Sequence, residues 1–565
     1  MPARPASPTF AELFTPKLVT VLREGYTLKN LRGDAVAGLT VAIVALPLSM
    51  AIAIASGASP AQGLYTAAVG GFLVSLLGGS RFQIGGPAGA FIVLVSATVA
   101  RHGMDGLILA TFLSGFLLAA VGFLRLGAFI KFIPFPVTVG FTAGIAVIIF
   151  ASQIKDLLGL TLAVPEPGPL LQKIPALVNA LPTISPAALA LSLATIAIIA
   201  GLKRLRPHWP GMLIAVTLAA LITWKLGLDV TTIGSRFGGI PSTLPAPSLP
   251  TLSAAKIIEV LPAALSFTLL GAIESLLSAV VADGMTGRRH RSNCELVAQG
   301  AANIGSALFG GFCVTGAIAR TATNVRSGAH GPVSGMLHAV FILIFMAAAA
   351  PLAAFIPLAS LAGVLAVVSW NMIEKPAIAV LVRSGWGDAA VLAATFFLTV
   401  FRDLTEAIVA GFALGSVLFI HRMSKATAVE TQTPFVAEDM ADRTLPRGGY
   451  DGALAASPEL VVYRITGAFF FGAAASVASV LDRIQDTHKA LIVDFAAVPF
   501  LDSTGANVME GLARKAEKRG VRLFVSGASA DVRRSLLTHG VRPPAVNFAA
   551  TVGDALEQYR GRAPA

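Results

Sequence analysis

Long apolar runs, separated by short polar turns, fill the first three quarters of the chain. They begin near Ala35 and continue to His421, and most approach the length of about 20 residues that a helix needs to cross a bilayer. The pattern predicts membrane spans at residues 35–56, 61–79, 87–100, 106–124, 130–151, 186–202, 211–226, 257–282, 293–311, 317–327, 333–350, 356–373, 387–401 and 404–420. We therefore expect an α-helical polytopic membrane protein with 14 spans.

Two of these runs, the third and the tenth, are too short to cross the membrane as complete helices. They begin at Pro87 and Ala317, and each follows a glycine-containing, strand-like segment, 82–86 and 312–316 respectively. They lie seven spans apart, which is the spacing expected of two seven-span inverted repeats, because an odd number of spans inverts the second copy. We therefore predict two broken helices that meet near the middle of the membrane.

The basic residues between the spans predict an orientation. With the N-terminus inside, the clusters at 203–206 and 288–291 fall on the cytoplasmic side, as the positive-inside rule requires. The long proline-rich loop 227–256 then lies outside, and only Arg236 and Lys256 are basic there. Fourteen spans place both termini in the cytoplasm, and the protein is expected in the bacterial inner membrane.

The composition changes after about Lys425. A polar linker is followed by alternating strand and helix patterns, which predict a soluble α/β domain with an open, partly parallel sheet. Strands are expected at 460–465, 490–495 and 521–525, and helices at 474–484, 504–519 and 531–539. The predicted layout is a cytoplasmic N-terminal segment 1–33, a transport domain 34–424, a linker 425–457 and a C-terminal domain 458–565.

Overall composition supports a membrane protein and argues against an enzyme. Of the 565 residues, 55% are hydrophobic and 13% are charged, whereas soluble domains carry roughly 25% charged residues. The net charge of +12 arises from loop clusters and does not indicate nucleic-acid binding. Cys294 and Cys313 have neither zinc nor redox spacing, so they are interpreted as packing residues. We expect no catalytic residues, no metal and no cofactor.

The starts of the two half-helices predict an anion site. A helix N-terminus presents unpaired N–H groups and a partial positive charge, and two such ends aimed at one point can bind an anion. Gly85, Gly86, Gly89 and Gly316 would allow an anion to approach the backbone closely. Arg320, one turn inside the second half-helix, adds positive charge. The alternative is that these glycines serve only close helix packing.

Glu274 is a lone carboxylate within an apolar span. Charged residues at membrane depth are costly and tend to persist where they act. Glu274 could carry a proton that couples anion uptake to a gradient, or it could hold a sodium ion or Arg320. The alternative is a structural ion pair or a hydrogen bond between helices.

In the soluble domain, Asp502-Ser503-Thr504-Gly505 follows a strand and opens a helix. Asp or Ser at this position is a good N-cap. Ser503 is also a candidate for regulatory phosphorylation, because an added phosphate would lie at a helix N-terminus.

These segments resemble the SulP family of anion permeases and exchangers over nearly the whole chain. The resemblance lies in Leu46-Pro47, Gly63-Leu64-Tyr65, the sequence IGGPAGAF at 84–91, residues 295–304, Gly310-Gly311, and residues 315–320. The C-terminal domain looks like a STAS domain. The resemblance implies seven-plus-seven inverted repeats split into core and gate domains, an anion bound between the third and tenth spans, and a homodimer.

The resemblance also implies roles for individual residues. Arg320 matches the family's basic residue, Glu274 its acidic residue in the eighth span, and Ser503 the serine that is phosphorylated in related soluble antagonist proteins. Substrate contacts would come from Gly86, Pro87, Ala88, Gly89, Gly316, Ala317, Ile318 and Ala319.

Departures from the family pattern bear on the substrate. Leu48 stands where many relatives have Gln or Glu, and Ala317 and Ala319 stand where many have Ser. This less polar site argues against a strongly hydrated small anion. Four segments look most like the bacterial C4-dicarboxylate branch: SGASPAQGLYTAAV, SQIKDLLGL, GAIESLLSAVVADGMTG and AIARTATNVRSGA.

We therefore expect a secondary anion transporter that works by alternating access and is coupled to protons. Its expected substrate is a C4-dicarboxylate (succinate, fumarate or aspartate) or sulfate. The alternatives are a bicarbonate or chloride exchanger, a sodium-coupled symporter, a passive anion channel or signalling scaffold, and a nucleobase permease, which Ala317 and Ala319 disfavour. The STAS domain is expected to have a cytosolic partner.

Overall fold

The structure is a computed structural model that describes residues 9–127, 134–163, 166–167, 169–206, 209–402, 404–426, 460–467, 469 and 489–560. By its internal packing the chain divides into two compact units. The first unit comprises Met1–Ile130, Phe141–Ile373 and Phe396–Ala407, and the second comprises Lys131–Gly140, Glu374–Thr395 and Ile408–Ala565.

The part of the chain before the linker is almost entirely helical. Its helices are α1 Phe10–Phe14, α2 Lys17–Arg23, α3 Leu28–Ala55, α4 Pro60–Tyr65, α5 Gly71–Leu77, α6 Ile92–Phe123, α7 Phe135–Leu158, α8 Leu170–Ala180, α9 Pro186–Leu205, α10 Gly211–Leu226, α11 Ile233–Phe237, α12 Ala254–Thr286, α13 Ser292–Leu308, α14 Ile318–Arg326, α15 Val333–Ala353, α16 Leu358–Met372, α17 Lys375–Ser384, α18 Trp386–Phe401 and α19 Leu404–Ala426. Two short strands interrupt them, β1 Gly85–Gly86 and β2 Thr315–Gly316.

Membrane-spanning length is common among these helices. In the described residues, 8 helical segments are long and apolar enough to cross a bilayer, and three shorter apolar helices accompany them. α6 covers two predicted spans, 87–100 and 106–124. Its backbone departs from helical geometry between them, at Gly103, where φ is 69°. This arrangement is consistent with the predicted 14 spans.

Several predicted spans differ at their ends from the helices of the structure. The first was expected from residue 35, but α3 begins at Leu28. The fifth was expected at 130–151, but its helix α7 is Phe135–Leu158. The eighth was expected at 257–282. Its helix α12 begins after Ser253, whose side chain accepts a hydrogen bond from the Lys256 amide, and it continues to Thr286.

The C-terminal domain contains a four-stranded sheet of order β3-β4-β5-β6, with β3 Leu460–Thr466, β4 Ala490–Ala497, β5 Arg522–Ser526 and β6 Val546–Ala549. All three ladders between these strands are parallel, whereas a partly parallel sheet was predicted. The first six residues of β4 are buried, as expected for a strand covered on both faces.

Three helices of this domain lie in the described residues: α20 Ser503–Lys518, α21 Ala530–Thr538 and α22 Val552–Arg560. The sequence predicted α20 and α21 to within a residue or two but missed β6 and α22. The strand β6 is only four residues long, too short to display a clear alternation. The predicted helix 474–484 lies outside the described residues.

Candidate functional site

The two short strands bring the predicted half-helices together. β1 pairs antiparallel with β2, so that Gly85 lies opposite Gly316 and Gly86 opposite Thr315. The amide of Ala317 adds a hydrogen bond to the carbonyl oxygen of Ile84 at 2.9 Å. The prediction that the two broken segments meet is therefore confirmed.

Helices begin directly after the paired strands. A 3-10 turn at Gly89–Phe91 leads into α6, and α14 begins at Ile318. Both helix starts therefore leave the same short strand pair. Of the residues predicted to contact substrate, some are buried (Gly86, Pro87, Ala88, Gly316), some half-buried (Gly89, Ala317) and some exposed (Ile318, Ala319).

Glycine is required where the strands cross. A Cβ on Gly316 would lie 1.7 Å from Nε2 of Gln83, and a Cβ on Gly86 would lie 2.4 Å from Nη1 of Arg320. Gly86 also has φ +155°, a conformation that other residues rarely adopt. Gly89 differs, because its nearest neighbour, the Ile149 side chain, would lie 3.4 Å from an added Cβ. Close packing therefore accounts for Gly86 and Gly316 but not for Gly89.

Arg320 is almost completely buried, with 1% of its surface exposed. Its Nη2 donates hydrogen bonds to Ser49 Oγ at 3.1 Å and to the Pro87 carbonyl oxygen at 3.2 Å. Its Nε and Nη1 have no hydrogen-bond partner among the described protein atoms. A buried cation with free donors is stabilised by an anion, because burying an uncompensated charge is costly.

Glu274 lies on α12, and 9% of its surface is exposed. The same helix contacts the strand pair, since the Gly271 carbonyl oxygen accepts a hydrogen bond from Thr315 Oγ1 at 3.4 Å. Arg320 bonds to Ser49 and Pro87 instead of Glu274. In the described part of the chain no ion pair joins Glu274 to Arg320 or to another cation, and the roles predicted for Glu274 stay predictions.

Two polar residues of α14 were missed as site residues in the sequence. Thr321 Oγ1 accepts hydrogen bonds from the Ile84 amide at 3.1 Å and from Ser278 Oγ at 2.9 Å. Asn324 Nδ2 donates to the Phe82 carbonyl oxygen at 2.9 Å. Both residues lie within one turn of Arg320 in the sequence, but Ile84 and Phe82 are more than 200 residues away along the chain and Ser278 is 43 residues away.

Helix α13 supports the strand pair from another side. Asn303 accepts a hydrogen bond from the Val314 amide and donates one to the Val314 carbonyl oxygen, both at 2.9 Å. Glu295 accepts a hydrogen bond from the Ser80 amide at 3.0 Å and one from Gln299 Nε2 at 3.0 Å. Residues 295–304, noted in the sequence only as a motif, thus hold both segments that lead into the strands.

Ser503 forms a separate site in the second unit. Asp502 caps α20 by accepting the Gly505 amide at 2.8 Å, which confirms the predicted N-cap. Ser503 is 5% exposed, and its hydroxyl donates to Asp388 Oδ2 at 2.5 Å. His539 lies within electrostatic range of Asp388, and burial lowers the pKa of its imidazole below the ordinary value of 6.5. The soluble domain therefore contacts the first turn of α18 through Ser503.

The other candidate chemistry is sparse. The described residues contain no group of three or more His, Cys, Asp or Glu side chains that could hold a metal ion. Cys294 and Cys313 are free and buried. Cys313 packs with its Sγ 3.4 Å from Thr111 Oγ1, in agreement with the predicted packing role.

Family models account for most of the chain. The model of the sulfate permease family matches residues 31–395, and the model of the STAS domain matches residues 453–555. The chain belongs to the sulfate permease family. It is a multi-pass membrane anion transporter of that family, not an enzyme, with a C-terminal STAS domain.

Individual relatives extend over the same length. The chain is 39% identical to "Putative sulfate transporter YvdB" of Bacillus subtilis (strain 168), covering 92% of this chain and 95% of that protein. It is 32% identical to "Bicarbonate transporter BicA" of Synechocystis, covering 90% of each.

Solved structures agree with the fold. The transmembrane domain of a cyanobacterial bicarbonate transporter BicA superimposes with a TM-score of 0.62 at 34% identity, over 68% of this chain and 98% of that domain. The structure of SLC26A9 superimposes with a TM-score of 0.65 over 98% of this chain and 93% of that one. At 18% identity the second match supports the fold alone.

Proposed function

We propose that this permease carries a small oxyanion across the bacterial inner membrane by alternating access. The anion binds between the first turns of the two half-helices, against residues 86–89 and 316–319, and in the field of Arg320. The observation that supports this site is the buried Arg320 guanidinium beside the paired strands, which forms no ion pair within the described residues.

The expected affinity is moderate. A helix N-terminus stabilises an anion by roughly 0.3–2 kcal/mol, and a hydrogen bond to a charged group contributes roughly 1.5–3 kcal/mol. Two helix ends and one guanidinium together supply roughly 2–7 kcal/mol, which corresponds to a Kd no tighter than about 10 μM. Such weak binding suits a carrier, because the anion must also leave the site.

We infer that the substrate is a C4-dicarboxylate or sulfate. Ala317 and Ala319 support the larger organic anion, because a wall without hydroxyls compensates poorly for the lost hydration of a compact one. Bicarbonate is the second candidate, supported by 32% identity to a bicarbonate transporter over 90% of this chain. Exchange for chloride and coupling to sodium are the corresponding alternatives for the mode of transport.

A flux panel on purified protein in liposomes tests this proposal. Succinate, fumarate, aspartate, sulfate, bicarbonate and uracil are each offered with an imposed proton gradient, with a sodium gradient and with internal chloride. We expect uphill uptake of a dicarboxylate or sulfate that requires the proton gradient. Flux that only dissipates the anion gradient would identify a channel, and uptake of uracil alone would overturn anion transport.

Glu274 is proposed to carry the coupled proton. A neutral glutamine in its place keeps the shape of the side chain but cannot exchange a proton. We expect Glu274→Gln to abolish uphill accumulation while substrate exchange between the two sides persists, measured as counterflow. Asp283→Asn, on the same helix, serves as the control. Uphill uptake by Glu274→Gln at the wild-type level at every pH would exclude the proposed role.

Ser503 is proposed to regulate transport through its contact with Asp388. A phosphate on Ser503 would bring about −2 charge against that carboxylate and would separate the two side chains. We expect Ser503→Glu to change the transport rate, whereas Ser503→Ala loses only the contacts of the hydroxyl with Asp388 and Ser384 and adds no charge. Equal rates for the two variants would exclude control by charge. A homodimer and a cytosolic partner of the STAS domain complete the proposal, and both can be sought by mass measurement and crosslinking in membranes.

A further inference from the structure

Four buried polar side chains lie around the strand pair and lack protein partners for seven nitrogen and oxygen atoms. The atoms are Ser75 Oγ, Gln83 Nε2 and Oε1, Arg320 Nε and Nη1, and both ring nitrogens of His338. The four residues are between 0% and 3% exposed. In the described part of the chain only six other buried side-chain atoms share this condition, so the unpaired groups are concentrated here.

Distances from glycine positions show that these side chains lie beside the backbone of the strand pair. Gln83 approaches Gly316, and Arg320 approaches Gly86. His338 Cε1 lies 3.7 Å from the position of a Cβ on Gly71, and that position is 2.9 Å from the Gly85 carbonyl oxygen. These three groups therefore adjoin one short stretch of backbone instead of being dispersed through the bundle.

Two further contacts place Ser75 and Arg320 near His338. Ser75 Oγ would lie 2.1 Å from a Cβ on Gly335, one turn before His338 on α15, and that Cβ position is 3.2 Å from Ile84 Cδ1. Arg320 Nη1 lies beside Gly86, and both His338 and the carbonyl oxygen of the preceding residue, Gly85, lie beside Gly71. Side chains of α5, α14 and α15 therefore lie close to β1.

Buried polar groups in folded proteins are almost always hydrogen-bonded, either to protein or to ordered water. An internal water typically has two to four polar partners. An imidazole, an amide, a hydroxyl and two guanidinium nitrogens provide such partners, with both donors and acceptors among them.

We propose that Ser75, Gln83, Arg320 and His338 bind a small cluster of internal water, through which His338 positions the Arg320 guanidinium. Ser49 and Pro87 fix only Nη2 of Arg320, so the water cluster sets the direction of Nε and Nη1. His338 is thus a positioning residue for anion binding, without contact to the anion. This second role rests on the proposed transport function, whereas the hydration of the cluster does not.

Transport kinetics test the positioning role. His338→Leu removes both ring nitrogens, and we expect its KM for the transported anion to rise roughly 10-fold, the equivalent of one hydrogen bond to a charged group. Its kcat should stay within about twofold of the wild type, since the anion contacts themselves remain. His338→Gln can still bond to water and should restore KM to within about threefold of the wild type.

Thr195→Val is the matched control, because Thr195 has a buried hydroxyl without a partner on a different helix, α9. It should leave KM unchanged. A wild-type KM in His338→Leu would overturn the positioning role, and so would a KM in His338→Gln as high as in His338→Leu.

Radiolytic hydroxyl-radical labelling of the full-length protein in nanodiscs tests the water cluster without any transport. Radicals generated from internal water label the side chains beside it, so His338 should be labelled although it is 0% exposed. Phe312, equally buried at 0%, is the control that should stay unlabelled. An unlabelled His338 would exclude the water cluster. Absence of wild-type anion flux would instead overturn the proposed function.

Discussion

The two half-helices share a backbone plan but differ in chemistry. The first, beginning at Gly89, continues through an almost purely apolar sequence, and its approach is shaped by Gly85 and Gly86. The second, α14, reads Ile-Ala-Arg-Thr-Ala-Thr-Asn-Val-Arg and buries the polar residues Arg320, Thr321 and Asn324. A symmetric arrangement of strands therefore carries an asymmetric set of side chains.

The direction of the hydrogen bonds explains this difference. Arg320, Thr321 and Asn324 all bond to the backbone of the opposite half, at Pro87, Ile84 and Phe82 respectively. The second half-helix thus holds in place the backbone that leads into the first. The first half supplies glycines and apolar packing, and its backbone groups at Phe82, Ile84 and Pro87 are bonded from across the strand pair.

The largest effect is expected when a side chain is added where β1 pairs with β2. Gly86→Ala places a methyl group 2.4 Å from Arg320 Nη1 at φ +155°, so the strand pair has to move. We expect loss of transport and of most folded protein, measured by flux and by size-exclusion yield. Gly89→Ala, with 3.4 Å to its nearest neighbour, is the control and should fold normally. Normal transport by Gly86→Ala would show that the crossing tolerates a side chain.

Removing Arg320 is expected to have the next largest effect. Truncating one member of a buried, hydrogen-bonded charge pair costs about 2–5 kcal/mol, so Arg320→Ala should weaken anion binding by roughly 30-fold or more. Isothermal titration with the transported anion measures this directly. Arg320→Lys keeps the charge but not the fork of donors, and it should give an intermediate Kd. Unchanged affinity in Arg320→Ala would place the anion elsewhere.

Thr321→Val tests whether the second half-helix holds this backbone in place, because it removes one acceptor atom that serves two donors. The Ile84 amide and the Ser278 hydroxyl both lose their partner, and each unsatisfied group costs about 1–3 kcal/mol. We expect a clearly lower melting temperature by differential scanning fluorimetry. Thr323→Val in the same helix is the matched control, because Thr323 bonds only to the Ala319 carbonyl oxygen of its own helix. Equal melting temperatures in the two variants would argue that Thr321 does not hold the opposite backbone in place.

The smallest effect is expected at Ser49. Arg320 Nη2 keeps its bond to Pro87 when Ser49→Ala removes the other acceptor, and one hydrogen bond contributes about 0.5–1.5 kcal/mol. We expect KM to rise about 2- to 10-fold. Ser56→Ala is the control near the end of the same helix, because the Ser56 hydroxyl is buried without a partner. A rise in KM as large as in Arg320→Ala would mean that Ser49 itself contacts the anion.

The sequence predicted the parts of the site that depend on local pattern. The short third and tenth runs and the glycines before them indicated two half-helices that meet, and the structure pairs them at Gly85 and Gly316. The sequence did not indicate what surrounds Arg320. Its partner Ser49 is 271 residues distant along the chain. No local period encodes such a contact.

Sequence by itself determined the membrane spans, the broken third and tenth helices and the α/β character of the tail, because hydrophobic length and period follow directly from the chain. Tertiary structure alone decided that α14 supports the opposite half, that His338 and Gln83 are buried near the strand pair without protein partners, and that Ser503 contacts Asp388. Each of these depends on the burial of polar atoms, and a buried polar atom takes whichever partner the packing brings within about 3 Å.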